Sequence, residues 1–379
     1  MRALSSPLAL LALGLVHSTL AATTCNGYAD LCDRSYSNVT FLGAHDSYAV
    51  GTSVADNQDK NVTAQLNDGI RALQIQTHNA SDTIHVCHTS CSLLDGGTLE
   101  SYLTSLVSWV QANPNDGMLE LHLIVPSALS NSCAVVTLVL VNVDDLPVTS
   151  FSPIFQTAGL DKLAYSPSSS SLSINAWPTL GALIDASTPV VVFMDFEADF
   201  TSTPYIIDEF SNMWEDAFDV TDQTFGCAVN RTNGDSGSQL MLVNHFLDTT
   251  YDFGGTTFFV PNKNLLNETN AASGTGSIGT HVTNCQTIWG RNPNIILLDY
   301  YDSNGNVPFD FVATLNGVAA PTNTVTAGVA TAASSTGSSS TASVSTKKLS
   351  GGHKAVLWNG RLVGVAVIGL GMLGIAGAW

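Results

Sequence analysis

Seven short segments of this chain share one pattern. "VTFLGAHDS", "ALQIQTH", "TIHVCH", "TLVLVNVD", "PVVVFMDFEAD", "LMLVNHFLD" and "NIILLDYYD" each run apolar and then end in polar or ionisable residues. A continuous Val/Ile/Leu run leaves no face for water, so such strands are buried on both sides, as parallel strands covered by helices are. Helical stretches separate several of them: "TLESYLTSLVSWV", "TLGALIDA", and "TPYIIDEFSNMWEDAF" with Pro204 in its first turn. Alternating strands and helices imply an α/β fold. Seven or eight such units predict a distorted TIM-type (β/α) barrel, with a doubly wound open sheet as the competing architecture. Barrels collect functional groups where their strands end. His45, Asp46, Gln76, His78, His88, Asp144, Asp195, Glu197, Asn244, His245 and Asp299 all fall there.

The two ends of the 379 residues do not look like core. Residues 1–21 read as a secretory signal peptide: Arg2, then "LALLALGLV", then the small-residue site Thr19-Leu20-Ala21. Residues 350–379 read as a glycosylphosphatidylinositol (GPI) anchor signal. Small residues from Ser350, the expected attachment point, are followed by a polar spacer and an uncharged tail. A tail-anchoring helix is the alternative, at a length that barely spans a bilayer. Residues 319–349 are nearly all Ala, Ser, Thr, Gly and Val, the composition of an O-glycosylated stalk. That leaves 22–318 as one globular domain, secreted and held at the cell surface or wall, with the membrane as partner through the anchor.

Twelve Lys and Arg stand against 31 Asp and Glu, a net charge of -19. Nucleic acid is thereby excluded as a partner, because phosphate contacts need a basic surface. Sequons at Asn38, Asn61, Asn79, Asn230 and Asn267 agree with export. In an oxidising compartment the seven cysteines should mostly pair. Local spacing suggests Cys25–Cys32 and Cys87–Cys91, which leaves Cys227–Cys285 and an odd Cys133.

His45 and His88 end two strand-like runs in the same half of the chain. Two histidines facing one pocket, each beside a carboxylate, can act as general base and general acid near neutral pH. A histidine at a strand end can equally be a hydrogen-bonded core residue.

"FLGAHDSYA", "NQ…NVTAQLNDGIR", "IHVCH" and "TLESYLTSLVSWVQANPND" together resemble the catalytic X region of phosphatidylinositol-specific phospholipases C. From Cys25 to Asp302 the chain more closely resembles a fungal group of secreted phospholipase-C-like phosphodiesterases with TIM-type barrels. The resemblance implies His45 as general base, His88 as general acid, Asp46 as the carboxylate assisting the acid side, and Asp299 orienting the base. It also implies a phosphoinositide or other phosphodiester substrate opened through a cyclic phosphate. Gln74, Gln76, Asn244 and His245 are expected to bind substrate.

Two departures qualify this picture. Bacterial members carry an arginine where this chain has Gln76, and loss of one such electrostatic donor can cost roughly 10²–10³-fold. Calcium-dependent members place carboxylate ligands at the positions of Gln74 and Gln76. A neutral amide replaces carboxylate charge poorly, so no metal and no calcium cofactor is expected. Arg71 is the nearest alternative cation in sequence. A catalytically inactive surface binding protein on the same barrel is the second reading.

Other motifs carry less. "GTGSIG" (274–279) follows "NETNAAS" rather than a strand, so it lacks the dinucleotide context. "GDSGS" reads as a surface turn, and His78, His85, His122, His245 and His281 show no zinc-like spacing.

One segment disturbs the pattern. Helix-to-strand loops in α/β units usually take about 2–6 residues. Residues 117–134, "GMLELHLIVPSALSNSCA", intervene between a helix ending at "NPND" and the strand "VVTLVLVNVD", and they bring the odd Cys133. In the fungal group the helix end runs almost directly into the strand. We therefore read 117–134 as translated intron, with an extra surface strand as the alternative. Sequencing the transcript should find most messages lacking these codons; a message that mostly retains them refutes the reading.

Overall fold

The computed structural model describes residues 21–80, 83–113, 134–253, 256–328 and the dipeptides 357–358 and 361–362. Nearly all of the expected signal peptide, Cys133, almost all of the 117–134 segment, most of the expected stalk and Ser350 lie outside the described residues. The strands are β1 (Phe41–Ala44), β2 (Ala72–Ala80), β3 (Thr83–His88), β4 (Leu94–Thr98), β5 (Val136–Asn142), β6 (Val190–Met194), β7 (Ile207–Asp208), β8 (Met213–Glu215), β9 (Leu240–Asn244), β10 (Asp248–Phe253), β11 (Thr256–Pro261) and β12 (Ile295–Leu298). The helices are α1 (Val62–Asp68), α2 (Leu99–Ala112), α3 (Ser152–Ala158), α4 (Leu180–Asp185), α5 (Glu209–Asn212), α6 (Leu266–Thr269), α7 (Ile278–Trp289) and α8 (Val307–Asn316).

Eight strands pair in parallel in the order β7-β6-β5-β2-β1-β12-β9-β8. Followed from β1 in either direction, that order is the chain order closed on itself, with one open seam between β7 and β8. The fold is a distorted, incompletely closed (β/α) barrel. β6 shows why its strands are apolar throughout. Val190, Val192 and Met194 pack in one core cluster with Leu103 and Leu106 of α2, while Val191 and Phe193 enter another with Trp177 and Leu240. Both faces are buried, so no polar alternation survives.

Local chemistry sets the ends of the elements. Thr98 caps α2 by accepting from the Ser101 N–H at 3.2 Å, and Asn61 caps α1 through Ala64 at 3.1 Å. Gly69, at φ 115°, ends α1 in the left-handed region. Gly43 lets β1 approach its neighbours: a Cβ there would stand 2.6 Å from Leu297 Cδ2 and 3.0 Å from Ala72 Cβ.

Two expectations are corrected. "TIHVCH" is not a barrel strand. β3 pairs antiparallel with β2 and with β4, because the two residues joining it to β2 suffice for a hairpin and not for a parallel crossover. "TPYIIDEFSNMWEDAF" is not one helix but β7, the single turn α5 and β8. Ile207, Met213 and Trp214 are too thoroughly buried for a helix with a solvent face.

The three disulfides Cys25–Cys32, Cys87–Cys91 and Cys227–Cys285 are formed. All five sequon asparagines are exposed. "GTGSIG" leads into α7, with Ser277 as N-cap. Among the described residues no helix is long and apolar enough to cross a membrane. Loop-closure entropy ranks the bridges. Removing Cys227–Cys285, with a separation of 58, should cost about 4 kcal/mol in urea unfolding; removing Cys25–Cys32, with a separation of 7, about 2 kcal/mol. Equal losses would contradict the entropic ranking.

Candidate active site

β1 is hydrogen-bonded between β2 and β12, and its C-terminal end turns sharply into His45 and Asp46. The His45 N–H still donates to the Leu298 carbonyl at 2.9 Å, so the residue leaves the sheet in a fixed direction. Asp46 follows at φ 39°, in a region a non-glycine residue adopts at a cost. Strain of this kind holds where the surroundings over-determine it. Here Gln74 Oε1 accepts from the Asp46 N–H at 2.8 Å, and the Ser47 N–H donates to the Gln74 carbonyl at 2.9 Å.

His45 is oriented from behind. Its Nδ1 lies 2.9 Å from Asp299 Oδ1 at the end of β12, and a carboxylate accepts, so Nδ1 carries the proton and Nε2 keeps its lone pair in the neutral ring. Asn57 Nδ2 donates to the same Asp299 oxygen at 2.9 Å. Gln58 Nε2 donates to the carbonyls of His45 and Leu298, at 2.6 and 3.0 Å, and locks the two strand ends together. The Phe246 ring stacks on the imidazole with centroids 3.7 Å apart and planes 4° from parallel.

Asp46 joins the two histidines. Its Oδ2 stands 3.9 Å from His45 Nε2 and 3.5 Å from His88 Nε2. The side chain is wholly buried, His88 is 5% exposed, and the His45 side chain is 12% exposed. Gln76 Nε2 donates to the same Oδ2 at 2.9 Å, and Gln76 Oε1 accepts from the Thr89 N–H at 3.2 Å. Gln76 thus ties the carboxylate to the turn that presents His88.

The electrostatics are acidic. His45 is raised to about 9: burial works against its charge, but the Asp46 and Asp299 carboxylates, with Asp248 beyond them, more than offset that. Burial pushes Asp46 upward while both histidines pull it down. Asp248, buried at the start of β10, is driven well upward by burial and by Asp299. Asp219, exposed on the rim, also acts on both histidines by charge.

Three cations are committed to other partners, and Lys263 also acts by charge on Asp299. Arg71 precedes β2, at the opposite end of the barrel, where its Nη1 donates to the Leu66 and Ile70 carbonyls and its guanidinium lies 5.1 Å from the Trp109 ring centre. Arg231 is paired with buried Glu215 beside Glu209. Lys263 donates to the Ser53 carbonyl at 2.5 Å and lies 4.8 Å from the centre of the Tyr300 ring.

The structure therefore brings His45, His88, Asp46 and Asp299 together and gives other expected residues different work. Gln74 and Gln76 brace the turn that holds Asp46. Asn244 is buried, donating to Glu215 Oε2 at 2.9 Å and to the Asp216 carbonyl at 3.2 Å. His245 is fully buried and faces His281 rather than the mouth. The expectation that these two bind substrate is corrected: polar strand ends of a barrel can point outward, and alternation alone does not say which do. Asn57, Gln58 and Phe246 went unassigned in the sequence, although "NQ" and "NHF" were visible there.

The PI-PLC X family model (PI-PLC X 1) matches residues 31–316. An "uncharacterized secreted protein" of Arthroderma benhamiae is 42% identical over 302 residues, covering 78% of this chain; the chain spans 64% of that relative's length. A "PI-PLC X domain-containing protein 1" of the same fungus is 40% identical over 280 residues, covering 73% of this chain and 84% of its own. Among solved structures, the phosphatidylinositol-specific phospholipase C of Listeria monocytogenes aligns with TM-score 0.46 at 12% identity, covering 76% of this chain and 94% of its own.

The raised value of His45 fixes a sign. Its folded value stands above the usual 6.5, so the group stabilises the fold fully below pH 6.5 and loses that contribution as pH climbs through about 9. An NMR titration should put the His45 midpoint near 9, and Asp299→Asn should lower it. A midpoint of 6.5 in the unaltered protein would dismiss the two carboxylates as its partners.

Proposed function

The chain belongs to the PI-PLC X family, and from that premise we propose that it is a phosphoric diester hydrolase acting on a phosphoinositide by two-histidine acid–base catalysis, as an exported, surface-anchored glycoprotein of lipid metabolism. One observation carries the reading. Two imidazole Nε2 atoms flank a single buried carboxylate oxygen, and only one of the rings has a second carboxylate behind it. That asymmetry assigns the roles: the ring backed by Asp299 is the base.

His45 Nε2 removes the proton of the inositol 2-hydroxyl. The freed oxygen bonds to phosphorus as the phosphorus–oxygen bond to diacylglycerol breaks. His88 passes a proton to the departing oxygen, and the product is a cyclic inositol phosphate. Asp46 stands between the two rings, so that one serves the attacking oxygen and the other the departing oxygen on the far side of phosphorus, and it stabilises whichever ring is charged. Until it gives up its proton, the His45 imidazolium also supplies positive charge for the anionic diester. The reaction as written uses no metal, since Gln76, the amide at a calcium-ligand position, is already committed to Asp46 and to Thr89 N–H.

A second reading keeps the barrel as a binding protein. It is favoured by the same Gln76, which leaves the described mouth without the arginine of the bacterial enzymes. Incubation of the purified, deglycosylated ectodomain with phosphatidylinositol and with a glycosyl-phosphatidylinositol, followed by phosphorus NMR, separates the two. We expect a cyclic phosphate, unaffected by EDTA or added calcium. His45→Ala and His88→Ala should each lower kcat/KM by about 10²–10⁴ with the fold retained. The rate should rise with pH toward about 9, because the base is neutral only above that value. No turnover under any of these conditions would leave the binding reading.

A further inference from the structure

A second pair of histidines lies behind Phe246, wholly buried and unused by the reaction above. His245 Nε2 is 2.8 Å from the Thr269 carbonyl oxygen, and His281 Nε2 is 2.9 Å from the Gly226 carbonyl oxygen and 3.0 Å from Asp216 Oδ2. All three partners are acceptors, so each Nε2 carries a hydrogen. The two Nδ1 atoms then face one another at 3.0 Å. If both rings were neutral, that contact would oppose two lone pairs in a water-free interior. It is a hydrogen bond only with one further proton between the nitrogens, which makes the pair a monocation with Asp216 as its counter-charge.

We propose that His245, His281 and Asp216 are a positioning set, in which one proton shared by the two imidazoles holds Phe246 against the base His45. The proposal rests on the hydrolase reading for its consequence, though the shared proton does not. The connection is short. Asp216 Oδ1 accepts from the Asn244 N–H at 2.7 Å, and the His245 N–H donates to the Leu297 carbonyl at 3.0 Å. The next residue is Phe246, whose ring lies flat on His45. Removing the shared proton sets the Nδ1 atoms in repulsion. The relief available is movement of residues 244–246, which takes the stacked ring with it.

The groups facing the pair are few. Asp216 comes from just beyond β8, with Glu215 acting on it by charge and Arg231 paired to Glu215. From α6 the Thr269 carbonyl meets the pair. Phe225 covers both rings, at centroid distances of 4.5 and 5.0 Å, and the Cys227–Cys285 disulfide anchors α7. Burial, and then the neighbouring His281, hold His245 down to about 3. Burial pushes Asp216 up to about 6, with His281 drawing it back.

The test uses the full ectodomain with 15N-labelled histidine. At pH 7 we expect one doubly protonated ring and a coupling between the two Nδ1 nuclei across the hydrogen bond. Two singly protonated rings without coupling overturn the proposal. In Asp216→Asn the added proton should be lost at pH 7. The His45 midpoint should fall, and kcat should drop several-fold with KM little changed, while Asp216→Glu restores both. A lost proton with an unmoved His45 titration overturns the positioning role. If Asp216→Asn does not fold, titration of the unaltered protein decides: loss of the shared proton must coincide with a shift in the His45 ring signals. Coupled titrations in a protein that turns over no phosphodiester would count against the hydrolase reading alone.

Discussion

A carboxylate without water must be met by donors or cations, and the whole mouth of this barrel answers to that demand at Asp46. Taking a lone carboxylate out of water costs several kcal/mol. Here the cost is offset by an N–H from Gln76, by the two imidazoles, and by a backbone turn whose own N–H is capped by Gln74. The partners come from three elements: His45 from the end of β1, Gln74 and Gln76 from β2, His88 from β3. The β1 neighbours are therefore fixed by one buried charge as well as by their ladders. The left-handed φ at Asp46 is tolerable because so many contacts define it.

The same charge explains why the base needs a second carboxylate. Asp46 stands beside both rings, at 3.9 and 3.5 Å from their Nε2 atoms. Only Asp299, bonded to His45 Nδ1 and steadied by Asn57, makes the rings unequal and fixes which nitrogen of His45 meets the mouth. The stacked Phe246 then removes the remaining freedom of that ring. Orientation, tautomer and charge are set by three residues from three strand ends. That division is what parallel strands running into one rim make available.

Much of this was legible in the sequence. The apolar runs gave the barrel because their burial on both faces is a composition effect, visible without coordinates. His45, Asp46, His88 and Asp299 were legible as strand-end groups, and the resemblance to the phospholipase C X region singled them out from the others. The short antiparallel β3 was less so, since an apolar hexapeptide does not announce its direction, and the two-residue joint that decides it resembles any loop. The stretch holding β7, α5 and β8 carries helix-like spacing, yet tertiary burial of Ile207, Met213 and Trp214 overrides it. Asn244 and His245 looked like site residues because they too end a strand. Whether a side chain there turns to the mouth or to the outer helices depends on the packing of α6 and α7, which no local pattern encodes.

The open seam has a consequence of its own. β7 and β8 offer edges of only two and three residues, bridged by a single helical turn, while half-buried Arg231 and buried Glu215 meet at the end of β8. Edges so short invite little pairing with other chains. A backbone cut within that turn would sever no ladder hydrogen bond, so new chain termini could be opened there and the old ends joined elsewhere. The ring of strands is less a closed hoop than a clasp, and its catch lies beside a strand pair that the histidines do not use.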